Sequence, residues 1–315
     1  MKQMFLTICL LSLALTSNAQ ELSFNRKGEF KIVQFTDTHF CLGNHKSDIA
    51  LERVKEVVKR EKPDLVVFTG DVIYSAPAVE GMKTIVSLVS KAKVPFVVCF
   101  GNHDKEFDAT NEQMYDMLRT LPYNLHPDRK GGPVPDIDLK IKARDGRTAF
   151  VLYCIDSHSY NWTDRYYEWI TEEQIRDYEA RSAAYTAANG GKPVPSLAFF
   201  HIPLPEYGIA ASDQKAPLVG TRREVCCCPD HNSGMFAAMK RCGDVKAVFV
   251  GHDHDDDYSV LWDGILLSYG RYTGGDTVYN HLENGARVIL LHEDGSLDTW
   301  VTLKGGRVLN EWRME

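Results

Sequence analysis

Apolar residues follow two alternating patterns in the first part of the chain. Residues 30–36, 65–69 and 95–100 are mostly apolar at successive positions, which is typical of buried β-strands. Between these runs, residues 47–61 and 79–91 carry apolar side chains at helical spacing. This β-α-β-α-β order predicts parallel strands joined by right-handed crossovers.

Further elements follow the same two patterns. The pattern predicts a helix at residues 111–119, capped by Asn111, and a Pro- and Gly-rich loop at 130–136. It then predicts a strand at 148–155 and a helix at 171–188 with a Thr171/Gln174 capping box. Two buried strands are predicted at 196–200 and 246–250. The loop-rich segment 202–233 suits a cover that faces a substrate. From Tyr258 onward, apolar runs separated by Gly, Asp and Asn predict an antiparallel meander. Without a repeat or a shift in composition, we predict one α/β domain over residues 20–315.

The first nineteen residues are set apart from this domain by their pattern. Lys2 precedes an apolar run over residues 5–15, and Ser17-Asn18-Ala19 ends it, as in a secretory signal peptide cleaved near Gln20. The run is short for a membrane span, and no Cys at the cleavage point could accept a lipid. We therefore expect residues 1–19 to be a signal peptide and the protein to be periplasmic or secreted, without a membrane anchor.

Charge and cysteine content narrow the expected partners and pairings. The net charge of -7, or -8 without Lys2, argues against a nucleic-acid partner. Of eight cysteines, Cys9 lies in the predicted leader, which leaves an odd number in the domain. In an oxidising compartment we expect one or two disulfides, with one of the adjacent residues Cys226, Cys227 or Cys228 pairing with Cys242. Cys99 and Cys154 lie in apolar runs and are predicted to be small buried hydrophobic residues.

Five short polar motifs each follow an apolar, strand-forming run. They are Asp37-Thr38-His39, Gly70-Asp71, Gly101-Asn102-His103-Asp104, His201 and Gly251-His252-Asp253-His254. In an α/β sheet the carboxyl ends of the strands share one edge, where ligands bind. Each motif alone is commonplace at a turn, but their coincidence at predicted strand ends predicts one site. Imidazole and carboxylate ligands suit zinc, manganese or iron better than calcium, so we predict two metal ions and phosphoester hydrolysis.

The ordered motifs DTH, GDV, GNHD, FFH and GHDH, over residues 37–254, resemble the signature of the calcineurin-like metallophosphoesterases. FFHIPLPEYG, NSGMF and DVKAVFVGHDHDDDY resemble the branch that includes purple-acid-phosphatase-like proteins of plants and a related yeast phosphatase. Purple acid phosphatases proper have Gly at the position of His39 and a Tyr ligand at the position of Tyr74. The presence of His39 argues against a tyrosinate-iron bond in this chain.

The resemblance implies a fold and a set of metal ligands. The fold is a four-layer αββα sandwich, in which two mixed β-sheets stack face to face with helices outside. Two transition metal ions, Mn, Fe or Zn, are implied. Asp37, His39 and His254 would bind the first, Asn102, His201 and His252 would bind the second, and Asp71 would bridge both.

The resemblance also implies how a phosphoester would be cut. A hydroxide that bridges the metals would attack phosphorus directly, without a covalent enzyme intermediate. His103 would contact the phosphate or protonate the leaving group, and Asp104 or another nearby carboxylate would orient its ring. Asp253 and residues 255–257 are expected to be supporting or solvated acids, because further acidic ligands would erase the positive charge that attracts phosphate. Low-ranking candidates for contact with the substrate are Arg222, Arg223, Tyr207 and His231.

Three other functions are alternatives for the same residues. A cysteine-dependent phosphatase needs the spacing C-x5-R, which none of the domain's cysteines has. A phosphodiesterase could use the same metal core, and a noncatalytic protein that binds metal or a phospholigand could keep the fold. We favour a phosphomonoesterase that acts on a small phosphorylated substrate or a phosphoprotein.

Overall fold

The computed structural model describes residues 21–161, 163 and 166–315. The predicted signal peptide lies outside these residues. The described helices are α1 Asp48–Glu61, α2 Ala78–Lys91, α3 Asn111–Arg119, α4 Glu172–Ala188, α5 Pro205–Ser212 and α6 Met235–Cys242. The described strands are β1 Leu22–Ser23, β2 Glu29–Phe35, β3 Leu65–Thr69, β4 Phe96–Cys99, β5 Ile137–Lys142, β6 Thr148–Cys154, β7 Tyr160–Asn161, β8 Tyr166–Tyr167, β9 Ser196–Phe199, β10 Leu218–Val219, β11 Val245–Val250, β12 Ser259–Trp262, β13 Ile265–Tyr269, β14 Gly285–His292, β15 Leu297–Leu303 and β16 Val308–Met314.

Two large mixed sheets form the centre of the molecule. The six-stranded sheet has the order β16-β15-β14-β2-β3-β4, and the eight-stranded sheet has the order β1-β5-β6-β9-β11-β13-β12-β10. As predicted, β2, β3 and β4 are parallel neighbours. The remaining pair, β7 and β8, forms a separate antiparallel hairpin.

The alternation of side chains along the strands explains how the layers stack. In β9, Leu197 and Phe199 belong to a core shared with the six-stranded sheet, whereas Ala198 belongs to a second core that includes α4, α5 and α6. Successive strand residues point to opposite faces, so the eight-stranded sheet is covered by the other sheet on one side and by helices on the other. Helices α1, α2 and α3 contribute to the first core. This is the predicted αββα architecture.

Most predicted elements are confirmed within one or two residues, and three details differ. The cap of α3 is Thr110, whose side chain accepts the Gln113 N–H, and not Asn111. Strand β5 follows the predicted loop 130–136 and was not predicted. The segment 202–233 contains α5 and the short strand β10 as well as loops.

The predicted antiparallel pairing is confirmed for β12 with β13 and for β14 with β15, but the strands do not form one meander, because the two hairpins lie in different sheets. Strand β13 lies parallel to β11 in the eight-stranded sheet, whereas β14, β15 and β16 pair in the six-stranded sheet. Both groups contain strands with consecutive apolar residues, as in β13 and β14, and this pattern does not specify which sheet a strand joins.

The cysteines do not form the predicted disulfide. All seven cysteines of the described chain are free thiols. Cys226 packs against Gly208 of α5, whereas Cys242, the last residue of α6, packs against the second core. Cys99 and Cys154 are buried, as predicted. Within the described residues, none of the helices has the length and apolarity needed to cross a bilayer.

Candidate metal centre

The polar motifs meet at the carboxyl ends of strands from both sheets. Asp37 and Asp71 follow β2 and β3 of the six-stranded sheet, whereas His201 and His252 follow β9 and β11 of the eight-stranded sheet. The imidazole Nδ1 of His201 crosses the interface and donates to the carbonyl oxygen of Thr69 over 2.8 Å. The site therefore lies between the two sheets.

Six of the predicted ligands form two buried clusters. The first cluster is Asp37, His39 and His254, and the second cluster is Asp71, His201 and His252. Within each cluster, one ligand atom from each residue lies within 4.8 Å of the others, a spacing that could hold a metal ion. The seventh, Asn102, joins the second cluster through its Oδ1, which lies 3.0 Å from His201 Nε2.

Asp71 lies between the two clusters. Its Oδ2 is 3.6 Å from Nε2 of His39 and 3.1 Å from Nε2 of His201. Its Oδ1 accepts the backbone N–H of His103 over 2.9 Å, which fixes the orientation of the carboxylate. One carboxylate oxygen thus faces a histidine of each cluster, which is the geometry a bridging ligand needs.

Hydrogen bonds outside the clusters turn imidazole lone pairs inward. His201 and His254 each donate Nδ1–H to a backbone carbonyl, that of Thr69 and that of Tyr279 respectively. When the ring is neutral, this arrangement, assigned from the hydrogen-bond network, leaves Nε2 as an acceptor. Nε2 of His254 lies 3.0 Å from Nε2 of His39, and within the described residues Nδ1 of His39 has no hydrogen-bond partner. Either a proton or a metal cation can lie between two ring nitrogens at this distance, so the donor set fits metal ions.

The charges of the buried groups agree with this conclusion. Although burial opposes it, His201 and His39 hold the pKa of Asp71 well below its usual range. Burial also opposes protonation of His201, but the carboxylates of Asp71 and Asp37 raise its pKa to about 10. The carboxylates thus create a strong demand for positive charge at the centre of the site.

The backbone at the site is strained. Asp37, His39, Asp71 and His252 have φ values of 51°, 38°, 50° and 82°. These values lie in the left-handed region, which costs about 1–3 kcal/mol per non-glycine residue and persists where the surroundings enforce it. Hydrogen bonds between motifs do so here, because Asp37 N–H donates to the Gly70 carbonyl and His39 N–H to the Asp71 carbonyl.

Two glycines allow the motifs to approach one another. A Cβ on Gly101 would lie 2.2 Å from Asp71 Oδ1, and a Cβ on Gly251 would lie 1.9 Å from Thr36 Oγ1 and 2.6 Å from Asp37 Oδ2. No side chain fits at these distances. The glycines of GNHD and GHDH are therefore required by the close contact between loops.

His103 lies at the edge of the clusters, and its acidic partner is not the predicted one. Glu106 Oε2 lies 2.7 Å from His103 Nδ1. Asp104 is buried, and its two oxygens accept backbone N–H groups of Val72, Ile73 and Gly101. Asp104 therefore holds two loops together and does not orient the His103 ring. Burial raises the pKa of its carboxyl to about 7.

The acids that follow His252 anchor the segments around the site. Asp253 accepts the Cys227 N–H and the Tyr269 hydroxyl, and Asp255 pairs with His281. Asp256 accepts the backbone N–H groups of Arg223 and Glu224, and Asp257 accepts that of Thr221 and pairs with Arg271. These acids support the loops and do not belong to either cluster.

The four candidates for contact with the substrate lie outside the two clusters and have other partners. Tyr207 is a core residue with no exposed surface, and its hydroxyl donates to the carbonyl of Val248, which corrects its assignment as a substrate contact. His231 is exposed and packs against Trp169, with 4.4 Å between ring centroids. The guanidinium of Arg222 donates to the Ala211 carbonyl, and that of Arg223 to the His281 carbonyl.

Sequence reasoning missed several aromatic residues and one acid around the clusters. Tyr167 packs edge-on against His252, and Tyr279 stacks on His254. Tyr74, which the sequence motif already indicated, packs against His39 and His103. Glu106 was discoverable, because it follows His103 by three residues. Tyr167 and Tyr279 left no signal, since they come from distant loops that only the fold brings together.

Comparison with known proteins identifies the class. Residues 30–256 match the calcineurin-like phosphoesterase family, and the chain belongs to this family. It is 32% identical to "Probable inactive purple acid phosphatase 29" of Arabidopsis thaliana over 84% of this chain and 76% of that protein. It is also 32% identical to "Phosphatase DCR2" of Saccharomyces cerevisiae over 92% of this chain, which spans 56% of the yeast protein. The predicted family and branch are confirmed.

A solved structure supports the fold. A dimetal phosphatase from Danio rerio superimposes with a TM-score of 0.63, at 13% identity, over 90% of this chain and 98% of that one. At this identity the likeness concerns the fold alone. The family and the two clusters together support a dinuclear metal centre.

Proposed function

We propose that this protein is a phosphohydrolase that uses two metal ions to cleave phosphomonoesters. The observation that carries the proposal is the position of Asp71, whose Oδ2 faces His39 of the first cluster at 3.6 Å and His201 of the second at 3.1 Å. In the proposed centre, Asp37, His39 and His254 would hold one ion, Asn102, His201 and His252 would hold the other, and Asp71 would be shared. Two bound ions would supply a water with a lowered pKa as nucleophile and would neutralise the phosphate.

The ligand set leaves the site suited to an anion. Asp37 and Asp71 bring two negative charges, whereas the imidazoles and the Asn102 amide are neutral ligands. Two divalent ions therefore leave a positive site even with a bound hydroxide. The buried acids Asp253, Asp256 and Asp257 are directed to backbone or arginine partners, so they do not reduce this charge as ligands.

His103 is the proposed substrate-facing group. Its Nε2 lies 4.0 Å from Asp71 Oδ2, and its Nδ1 is bonded to Glu106. Glu106 holds the ring from Nδ1, so Nε2 is free to hydrogen-bond with a phosphate oxygen or to pass a proton to the departing alkoxide. Because His103 and Glu106 are three residues apart on one loop, the pair is oriented locally.

The proposal is tested with the purified protein, expressed with Mn, Fe and Zn available. Metal content and turnover of p-nitrophenyl phosphate and bis(p-nitrophenyl) phosphate are measured together. We expect two metal ions per chain and faster turnover of the monoester. Asp71→Asn should lose metal and activity, whereas Asp263→Asn, an exposed turn residue with a φ of 44° that Asn tolerates, should keep both.

The name of the Arabidopsis relative supports a second candidate, a protein that binds a phospholigand without turnover. The same experiment separates the candidates. Two bound metals with tight phosphate binding and no hydrolysis of either ester would favour the binding protein. Preferred turnover of the diester would favour a phosphodiesterase, and less than one metal per chain would contradict the dinuclear centre.

We also propose that the protein is exported and acts on a small phosphorylated compound or a phosphoprotein in the periplasm or outside the cell. The pattern of residues 1–19 supports this proposal. Detection of a mature N-terminus near Gln20 in the extracytoplasmic fraction would test it, and an intact N-terminus in the cytoplasm would contradict it.

A further inference from the structure

A short hairpin of two strands packs against the second cluster. In this hairpin, β7 and β8 place Tyr160 opposite Tyr167, and their rings stack at 5.4 Å between centroids. Tyr167 in turn packs edge-on against His252 at 4.6 Å. The two rings hold the hairpin against the candidate metal centre, so the hydroxyl of Tyr160 lies at a defined position beside it.

The Tyr160 hydroxyl oxygen accepts the side-chain amide of Asn102. The distance from Asn102 Nδ2 to this oxygen is 2.7 Å. An amide side chain has one donor end and one acceptor end, so a partner for the NH2 group determines where the oxygen points. Here Asn102 Oδ1 points toward His201 Nε2, 3.0 Å away, within the second cluster. Without the hydroxyl, the Asn102 NH2 group would lose this acceptor, and the inward orientation of the amide oxygen would be less strongly fixed.

The same hydroxyl also reaches the candidate substrate-facing histidine. Its oxygen lies 3.4 Å from Nε2 of His103, while Glu106 binds Nδ1 of the same ring. With Glu106 at Nδ1 and the hydroxyl beside Nε2, both ring nitrogens of His103 have a neighbour that fixes the ring. One hydroxyl thus accepts from Asn102 and also contacts His103.

We propose that Tyr160 is a positioning residue of the centre, whose hydroxyl turns the Asn102 oxygen toward the second metal ion and holds the His103 ring in place for the substrate. This inference rests on the proposed function, because it assigns Asn102 and His103 their roles there. The ring of Tyr160 packs the hairpin, whereas the hydroxyl acts on the site. The two contributions are separable by removing the hydroxyl alone.

The first test measures metal binding without turnover. Metal-free wild type, Tyr160→Phe and the control Tyr166→Phe are titrated with Mn²⁺ by calorimetry. Tyr166 lies on the same hairpin and its side chain is exposed. We expect Tyr160→Phe to weaken one of the two sites by about 10- to 100-fold, the usual loss for a partner that orients a metal ligand, and the control to match wild type. Equal affinities in Tyr160→Phe and wild type would overturn the role through Asn102.

A double-mutant cycle distinguishes this role from a change in folding. In an Asn102→Ala background the amide is absent, so adding Tyr160→Phe should cause no further loss of Mn²⁺ affinity. An additive loss would overturn the assignment to Asn102. Affinities are compared between variants whose circular dichroism spectra and melting temperatures match those of wild type, so that a change in folding does not contribute.

The second test concerns His103. With saturating Mn²⁺, kcat and KM for p-nitrophenyl phosphate are measured for wild type, Tyr160→Phe and Tyr166→Phe. We expect Tyr160→Phe to lower kcat in the wild-type background and to cause no further loss in a His103→Ala background, whereas the control should match wild type. An unchanged kcat, or a loss of the same size in the His103→Ala background, would overturn the role through His103. Failure of wild type itself to bind Mn²⁺ or turn over the ester would instead overturn the proposed function.

Discussion

Glu106 Oε2 lies 2.7 Å from Nδ1 of His103, and this contact joins two residues of the same loop. The pair is accessible to solvent at its rim, with side-chain exposures of 24% for His103 and 25% for Glu106. A partly exposed ion pair contributes little to folding stability. We therefore expect the contact between Glu106 and His103 to affect the turnover rate more than the folding stability.

We predict that Glu106→Gln lowers kcat for p-nitrophenyl phosphate by about 10-fold or more, because the His103 ring loses the carboxylate that orients it. Metal content should stay at the wild-type level. Glu173→Gln, an exposed residue in the first turn of α4, is the matched control. A Glu106→Gln enzyme with wild-type kcat would show that the contact has no role in the reaction.

A substitution in the first cluster should remove one metal and retain the other. His254 contributes to the first cluster alone, so His254→Asn is expected to lower the metal content from two ions per chain toward one. Elemental analysis of the purified protein measures this directly. His45→Asn, at an exposed position, should retain the full content. Retention of both ions in His254→Asn would contradict the assignment of this ligand.

The glycine of GHDH should not tolerate a methyl group. In Gly251→Ala the new Cβ would lie 1.9 Å from Thr36 Oγ1, so the loops must separate. We expect a loss of metal and a destabilisation of roughly 1–3 kcal/mol, as for other overpacked sites. Urea unfolding with metal analysis checks both effects.

Gly81→Ala is the contrasting variant. Gly81 lies inside α2, and its Cβ would meet Ile73 Cγ2 at 3.4 Å, an ordinary contact. Alanine is favoured over glycine in a helix by about 0.5–1 kcal/mol, so this variant should be as stable as wild type or more stable. Equal losses in both variants would show that contact at Gly251 is not the cause.

A buried histidine outside the site should make folding stability depend on pH. Burial lowers the pKa of His126 to about 4, and its Nε2 accepts the Val98 N–H over 3.1 Å. The ordinary value for histidine is about 6.5, so between these values the unfolded chain binds a proton that the folded chain does not. The stability present above pH 6.5 is therefore lost as the pH falls toward 4.

We expect this histidine alone to reduce the free energy of unfolding by about 2 kcal/mol between pH 7 and pH 5. His126→Gln keeps an acceptor for Val98 and cannot titrate, so its unfolding free energy should change less over this interval. Urea titrations at the two pH values measure the difference. An unchanged pH dependence in His126→Gln would assign the effect to other groups.

The sequence was sufficient for the elements and for the family. Apolar strands such as β3 and helices with an apolar face such as α2 can be recognised from their own residues. Their bounds were therefore predicted closely. The sheet assignment of β14 was not predictable in this way, because its partner β2 lies more than two hundred residues away. Pairing over this distance depends on the packing of the whole domain.

The same limit applies to the candidate site. The predicted ligands lie in short motifs that can be recognised in the sequence, and six of these ligands form the two clusters. Tyr160, by contrast, is 58 positions away from Asn102 in the sequence, and the residues around Tyr160 form no motif that predicts the contact. The partner of His103 was missed for a different reason, since Asp104 and Glu106 are both acidic and only the direction of the backbone decides between them.

The placement of the clusters between the two sheets has a thermodynamic consequence. Asp71 extends from the six-stranded sheet and His201 from the eight-stranded sheet, so the second cluster exists only when the sheets are docked. An ion bound there would have little affinity for the unfolded chain, and its binding energy would add to the stability of the folded one. At a free concentration 100 times its Kd, each ion would contribute about 2.7 kcal/mol. Metal supply during maturation would then govern how long the folded protein lasts as well as how fast it works.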